Sequence, residues 1–248
     1  MFSYQEISSL NDLEMLVYNY AVSNPEKTAS MTIRQLADEV NVSSTTILRF
    51  CNKIGCEFFS EFKYALKDYI KDLGNKGSQT DSTLIQDFLI KANTKEFRDQ
   101  IHEAAKIIES KEMVFFIGMS SSGSLAKFGA RFLSNLGKNA FYLDDPFYPT
   151  DRGRYENTAI VALSVSGEQQ YLFRQIDGFK KGNASIISIT NTHQCTLAKV
   201  SDFNIAYYMP LKILPGLYNI TSQVPVVYIL ESIAQEVVNI RNEKLNVK

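Results

Sequence analysis

The chain has 248 residues, enough for one large domain or two modest ones, and its 45 % hydrophobic content is that of a globular protein with a real core. Lys and Arg number 26 against 27 Asp and Glu, so a net charge of −1 excludes a generic polyanion binder acting through bulk charge. Cys51, Cys56 and Cys195 form no disulfide framework, and with no signal-peptide pattern they fit a reducing cytoplasm.

Two histidines, His102 and His193, lack partners at ligand spacing, so neither a metal nor a cofactor is expected. The best apolar run, 224–234, is short and contains Glu231, so no membrane association is expected.

The first helical pattern uses Leu10, Leu13, Met15, Leu16, Val17 and Tyr20 as its apolar residues. Residues 31–54 then read as two short helices joined by a tight turn. Ile33, Leu36, Ala37 and Val40 recur at i, i+3, i+4 and i+7, which marks one apolar face. Asn41 ends that helix in a residue type that tolerates a left-handed backbone. Val42 fills the corner. Ser43 or Ser44 caps the next helix by accepting a hydrogen bond from a free N–H.

That second helix is expected to bury Ile47, Leu48 or Cys51, and Ile54. Ser44, Thr45, Thr46, Arg49 and Lys53 are left near or on the outer side. Hydroxyls at a helix start suit phosphates and base edges, and an Arg one turn later reaches guanine. The electrostatics are thin for that role. Residues 1–72 hold seven Lys/Arg against ten Asp/Glu, a net −3, so the positive patch must be Arg49 and Lys53, in a stretch 43–56 without acids. The same periodicity fits a helix pair in a plain bundle. Another helix at about 60–73 uses Phe62, Ala65, Leu66, Tyr69 and Ile70.

Residues 72–83, DLGNKGSQTDST, have little to bury and read as a linker. The expected division is a domain over 1–73, a linker over 74–83 and a second domain over 84–248. After the linker the pattern changes class. A helical stretch at 84–109 is followed by apolar runs at 113–117, 140–143, 158–165, 184–190 and 203–207. A helical pattern (Leu125, Phe128, Phe132, Leu133, Leu136) separates the first two, and a long final helix closes the chain. Continuous apolar strands alternating with helices predict βαβ units and a parallel sheet covered on both faces. The fold class is therefore multidomain, an all-α helix-turn-helix domain followed by an α/β three-layer domain.

Two loops at strand ends carry chemistry. Gly118-Met-Ser-Ser-Ser-Gly-Ser124 follows the first strand, and Ser164-Val-Ser-Gly-Glu-Gln169 follows the third. Glycine permits close approach, hydroxyls donate, and a helix N-terminus is partly positive, which together suit phosphate. Adjacent strand ends would merge the loops into one crevice at a topological switch point. The first loop lacks the second glycine of a dinucleotide fingerprint. No GKS or GKT is present, and no spacing supports a Ser-His-Asp triad.

These residues resemble the RpiR family of bacterial transcriptional regulators, which join an N-terminal helix-turn-helix to a C-terminal SIS (sugar isomerase) domain. The resemblance runs through IRQLADEVNVSSTTILRFCNKIGCEFFSEFKYAL, then FFIGMSSSGSLAKFGARFLSNLG and ALSVSGEQ. It implies a DNA-binding regulator of sugar metabolism genes whose operator affinity is modulated by a phosphosugar. It implies that Ser43, Ser44, Thr45, Thr46, Arg49 and Lys53 face DNA. Ser120, Ser121, Ser122, Ser164, Ser166, Gly167 and Gln169 would form the ligand site. It also implies a homodimer or tetramer on an inverted-repeat operator.

Two positions depart from the family pattern. Ser120 stands where a second glycine is usual, and Gln169 where a threonine is usual. The alternative on the same fold is a phosphosugar isomerase or etherase, with Glu168, Glu231 and His193 as candidate bases. Glu168 reads equally as a helix-start residue and Glu231 as a helix-surface charge, so no catalytic residue is expected.

Overall fold

The computed structural model describes residues 4–75, 82–214 and 218–246. The chain separates into two compact units, Met1–Asp87 with Tyr208–Ser222, and Phe88–Tyr207 with Gln223–Lys248.

The first unit is built from α1 (Tyr4–Ser9), α2 (Asp12–Ser23), α3 (Pro25–Ser30), α4 (Ile33–Glu39), α5 (Ser44–Lys53) and α6 (Phe59–Asn75). Capping boxes open α2 (Asn11 with Glu14) and α4 (Thr32 with Gln35), each satisfying two otherwise unpaired N–H groups. Tyr18, Leu36, Ile47, Phe50, Phe62 and Leu66 fill the core, with the Phe50 and Phe62 rings edge to face at 5.2 Å. Leu13 and Leu16, expected in that core, are about half exposed instead. The buried face of α2 is Glu14, Met15, Val17, Tyr18, Ala21 and Val22, at helical spacing, and this turns Leu13 and Leu16 outward.

Residues 208–222 join this unit although they lie far along the chain. They include the short antiparallel pair β6 (Ile213–Leu214) and β7 (Tyr218–Asn219). The Leu211 N–H donates to the buried Tyr18 hydroxyl at 2.9 Å, and the Tyr69 hydroxyl donates to the Leu211 carbonyl at 3.3 Å. Of the expected linker, residues 76–81 lie outside the described residues. The positions on either side of them are helical, in α6 and in α7 (Ser82–Ala92).

The second unit holds α8 (Lys95–Glu109), β1 (Met113–Gly118), α9 (Ser120–Asn135), β2 (Asn139–Tyr142), β3 (Thr158–Ser164), α10 (Gln170–Lys181), β4 (Ser185–Thr190), α11 (Thr196–Val200), β5 (Phe203–Ala206) and α12 (Val224–Asn246). The five strands β1 to β5 pair in parallel in the order β2-β1-β3-β4-β5. Every residue of β3 is buried, as a central strand covered on both faces requires. Ile160 and Ala162 pack with Leu172, Ile176 and Phe179 of α10 on one face. Val161 meets Ile108, Leu133 and Leu230 from α8, α9 and α12 on the other. The order 2-1-3-4-5 reverses direction between β1 and β3, so the C-terminal ends of those two strands flank the natural crevice.

Candidate DNA-reading helix and anion crevice

The turn between α4 and α5 is closed by backbone chemistry. Asn41 has φ 54°, the Asn41 N–H bonds to the Asp38 carbonyl, and the Val42 N–H bonds to the Ala37 carbonyl. This is a Schellman closure with asparagine at the left-handed position. α5 ends the same way, with Gly55 at φ 78° and the Cys56 N–H on the Cys51 carbonyl. Ser43 is the N-cap of α5, its Oγ accepting the Thr46 N–H at 3.1 Å.

The outer surface of α5 departs from expectation at Thr46, and Lys53, exposed as expected, is already paired. Ser43, Thr45 and Arg49 are exposed and Ser44 is half-buried. Thr46 is only 6 % exposed, and its hydroxyl lies 2.9 Å from Ser43 Oγ. It shares the inner side of the helix with Ile47 and Phe50 and faces away from any groove the helix could enter. Lys53 is also engaged. Its Nζ pairs with Glu14 Oε2 at 2.8 Å and donates to the Ser9 carbonyl at 2.6 Å. The Glu14 carboxylate is 1 % exposed and also accepts the Asn11 N–H, so Lys53 is the counter-charge to a buried acid and not a free cation. Leu48 is exposed, and the anchor that the sequence reading missed is Phe50, fully buried.

In the second unit, the β1–β3 register sets Gly118 beside Leu163, so the two serine loops leave the sheet side by side. α9 and α10 both begin there, after Met119 and Gln169, and neither N-cap side chain bonds to its helix. Side-chain caps open α2, α4, α5 and α8, whereas the N-cap side chains of α3 and α11 also make no such bond. Two helix starts without side-chain caps thus stand at the ends of adjacent strands, which is the electrostatic condition for holding an anion.

Ser120, at the usual glycine position, holds φ 53°. A left-handed serine costs about 1 kcal/mol more than glycine there, and in exchange places a hydroxyl in the loop. Ser120, Ser121 and Ser166 are exposed at the crevice, whereas Ser122 and Ser164 are buried. Ser164 Oγ accepts the Gly167 N–H at 3.0 Å and donates to Gln169 Oε1 at 3.4 Å, so it braces the loop from within. Gly167 has φ 66°, and a Cβ there would overlap Cys195 Sγ. The Ser166 Oγ accepts the Glu168 N–H at 3.3 Å.

Sequence reasoning missed the tyrosines. Tyr171 donates to Gln169 Oε1 at 3.3 Å, and the Tyr142 hydroxyl lies 3.5 Å from the Gly118 carbonyl. Burial first and Tyr142 second push the Tyr171 phenol well above its ordinary pKa, so both rings border the crevice as neutral donors. A half-buried tyrosine beside a glycine loop leaves no periodic signal in one sequence.

The alternative catalytic groups are dispersed. Both Glu168 carboxylate oxygens hold Thr196, through its N–H at 2.8 Å and its hydroxyl at 2.7 Å. Glu231 lines a separate groove of about 790 Å³ bordered by α8 and α12, where His102 Nδ1 lies 2.7 Å from Glu236 Oε1. His193 is exposed in the loop between β4 and α11.

Residues 4–72 match the model of the helix-turn-helix domain of the rpiR family, and residues 106–232 match that of the SIS domain. The chain belongs to the RpiR family. This RpiR-family regulator is 27 % identical over 209 residues to the HTH-type transcriptional regulator GlvR of Bacillus subtilis, covering 81 % of this chain and 80 % of GlvR. Its fold matches the NanR protein of Vibrio vulnificus, solved with ManNAc-6P, at TM-score 0.58 and 20 % identity over 96 % of this chain and 90 % of that one. It also matches the sugar isomerase domain of an RpiR transcription factor from Sphaerobacter thermophilus at TM-score 0.54 and 15 % identity, over 67 % of this chain and 93 % of that one. Among the described residues of the regulator, no helix is long and apolar enough to cross a membrane.

Proposed function

We propose that this RpiR-family regulator binds a sugar phosphate in the crevice between residues 118–122 and 164–169, and that occupancy changes the affinity of α5 for an operator. The observation that carries the reading is the meeting of two helix N-termini without side-chain caps at the β1–β3 switch point. The phosphate sits against the N–H groups of both helix starts. Ser120, Ser121 and Ser166 supply hydroxyls, while Ser122, Ser164 and Gly167 shape the loops. Gln169, fixed through its carbonyl end, turns its amide nitrogen to the sugar. The ManNAc-6P held by NanR is a ligand of this class and supports the assignment.

On the DNA side, Ser43, Ser44 and Thr45 set the phosphate register, and Arg49 reads a base edge or a phosphate. A homodimer places two α5 helices on half-sites about 34–36 Å apart, so the operator is an inverted repeat. The work of such a protein is done on the chromosome, in the cytoplasm. The molecule is a sensor without catalysis, because Glu168 is spent on Thr196 and Glu231 faces another groove.

The test is operator binding by fluorescence anisotropy at one fixed salt concentration, since phosphate contacts make affinity salt-dependent. DNA upstream of the protein's own gene is compared with a scrambled duplex, with sugar phosphates added in turn. Specific binding that a sugar phosphate shifts and its unphosphorylated parent does not is the expected result. Turnover of a hexose phosphate abolished by Glu231→Gln would instead establish an enzyme.

A further inference from the structure

We propose that residues 208–214 are the strap through which the crevice acts on the DNA-binding unit, with Tyr208 as hinge and Leu211 as point of attachment. This rests on the reading of the crevice as a sugar-phosphate site. The second serine loop is not free-standing. Gly167 lies against Cys195, and its carbonyl accepts the Leu197 N–H at 3.0 Å. Glu168 grips Thr196, and the Asn191 N–H donates to the Val165 carbonyl at 3.3 Å. A shift of 165–168 therefore carries 191–197 with it.

That segment is tied in turn to the end of β5. Asn204 Nδ2 donates to Thr190 Oγ1 at 2.8 Å, and the Tyr207 N–H donates to the Thr190 carbonyl at 3.1 Å. One peptide bond later the chain leaves the second unit, at Tyr208, whose φ is +50°. A bulky side chain rarely adopts that backbone region, and a residue held there is a natural point of release. Three residues on, the Leu211 backbone is held from both sides. Its N–H donates to Tyr18 of α2 and its carbonyl accepts from Tyr69 of α6. α2 meets the end of α5 through the Glu14–Lys53 pair. Every link from the second serine loop to the reading helix is thus a hydrogen bond, a packed contact or a peptide bond. A ligand that binds two arrangements of the loop unequally gains by this route a means of biasing the helix.

The experiment uses the full chain and the variants Tyr18→Phe and Tyr69→Phe, which keep the rings and delete the bonds to Leu211. Operator affinity is read at fixed salt with and without glucose 6-phosphate, glucosamine 6-phosphate, N-acetylglucosamine 6-phosphate and N-acetylmannosamine 6-phosphate. Melting temperature reports binding of each sugar phosphate separately. The variants are expected to bind both DNA and sugar phosphate within about twofold of the parent, while the roughly 5- to 150-fold response of an allosteric effector shrinks to under about twofold. An undiminished response in variants that bind both partners overturns the strap.

If Tyr18→Phe does not fold, the more exposed Tyr69→Phe carries the test. If no sugar phosphate affects the parent protein, the functional reading fails, and the strap is judged without ligand. Glu168→Gln and Tyr69→Phe are then combined in a double-mutant cycle on operator affinity. Coupling of about threefold or more supports the strap, and additivity overturns it.

Discussion

Replacing Lys53 by alanine separates two accounts of α5. As a phosphate contact, Lys53 would contribute to affinity and leave stability alone. As the partner of Glu14 it does the reverse. The Glu14 carboxylate, 1 % exposed, has the Lys53 ammonium at 2.8 Å and the Asn11 N–H at 2.9 Å. Removing one member of a buried pair costs about 3–5 kcal/mol. Lys53 is itself 37 % exposed, so water screens part of the interaction, and the expected loss is reduced to about 2 kcal/mol. The Ser9 carbonyl, at 2.6 Å from Nζ, is exposed and adds little.

Urea unfolding followed by circular dichroism should show the midpoint falling by about 1 M, for a denaturant slope of about 2 kcal/mol/M. Glu14→Gln in the Lys53→Ala background removes the stranded charge and keeps an acceptor for Asn11. It should recover about 1 kcal/mol. A stability change below about 0.5 kcal/mol, with the salt slope of operator binding falling by about 0.9, would refute this reasoning and restore Lys53 as a phosphate contact.

Arg49→Ala should weaken operator binding by about 1–3 kcal/mol without lowering the melting temperature, because the side chain is exposed and supports no core. Gly167→Ala should abolish the sugar-phosphate melting shift, since the added methyl meets Cys195 Sγ and φ 66° disfavours any side chain. Cys195→Ala in that background should restore the shift in part, and full retention by Gly167→Ala alone would remove this loop from the site. Burial pushes the Glu236 carboxyl up, but hydrogen bonds from His102 and Asn239 outweigh it and hold it below the ordinary value. A carboxyl lowered on folding stabilises above its unfolded value and loses that contribution as pH falls. Acid titration of stability below about pH 4.5 should therefore be shallower for Glu236→Gln than for the parent.

What could be read from the sequence follows the range of each interaction. The turn at Asn41 was legible because it is set by the residue's own left-handed tolerance and by bonds spanning five residues. The serine loops were legible because buried strands announce their ends with glycine and serine. Thr46 is buried because helical phase, fixed by the ring of Phe50, outweighs the polarity of its hydroxyl. The pairing of Lys53 with Glu14 is not legible locally, because the two lie 39 residues apart. The Tyr18–Leu211 bond spans 193 residues, and no local pattern in 208–222 points to it.

That span also bears on how the protein is made. At about 5–20 residues per second, residues 88–207 take roughly 6–24 s to synthesise, and throughout that interval the amino-terminal helices exist without the segment that pairs with Tyr18. The nascent reading domain therefore waits, incomplete, until nearly the whole polypeptide has left the ribosome. Chains cut short before residue 208 carry α5 but lack the bonds to Leu211, so they would present the reading helix without its attachment to the sensor.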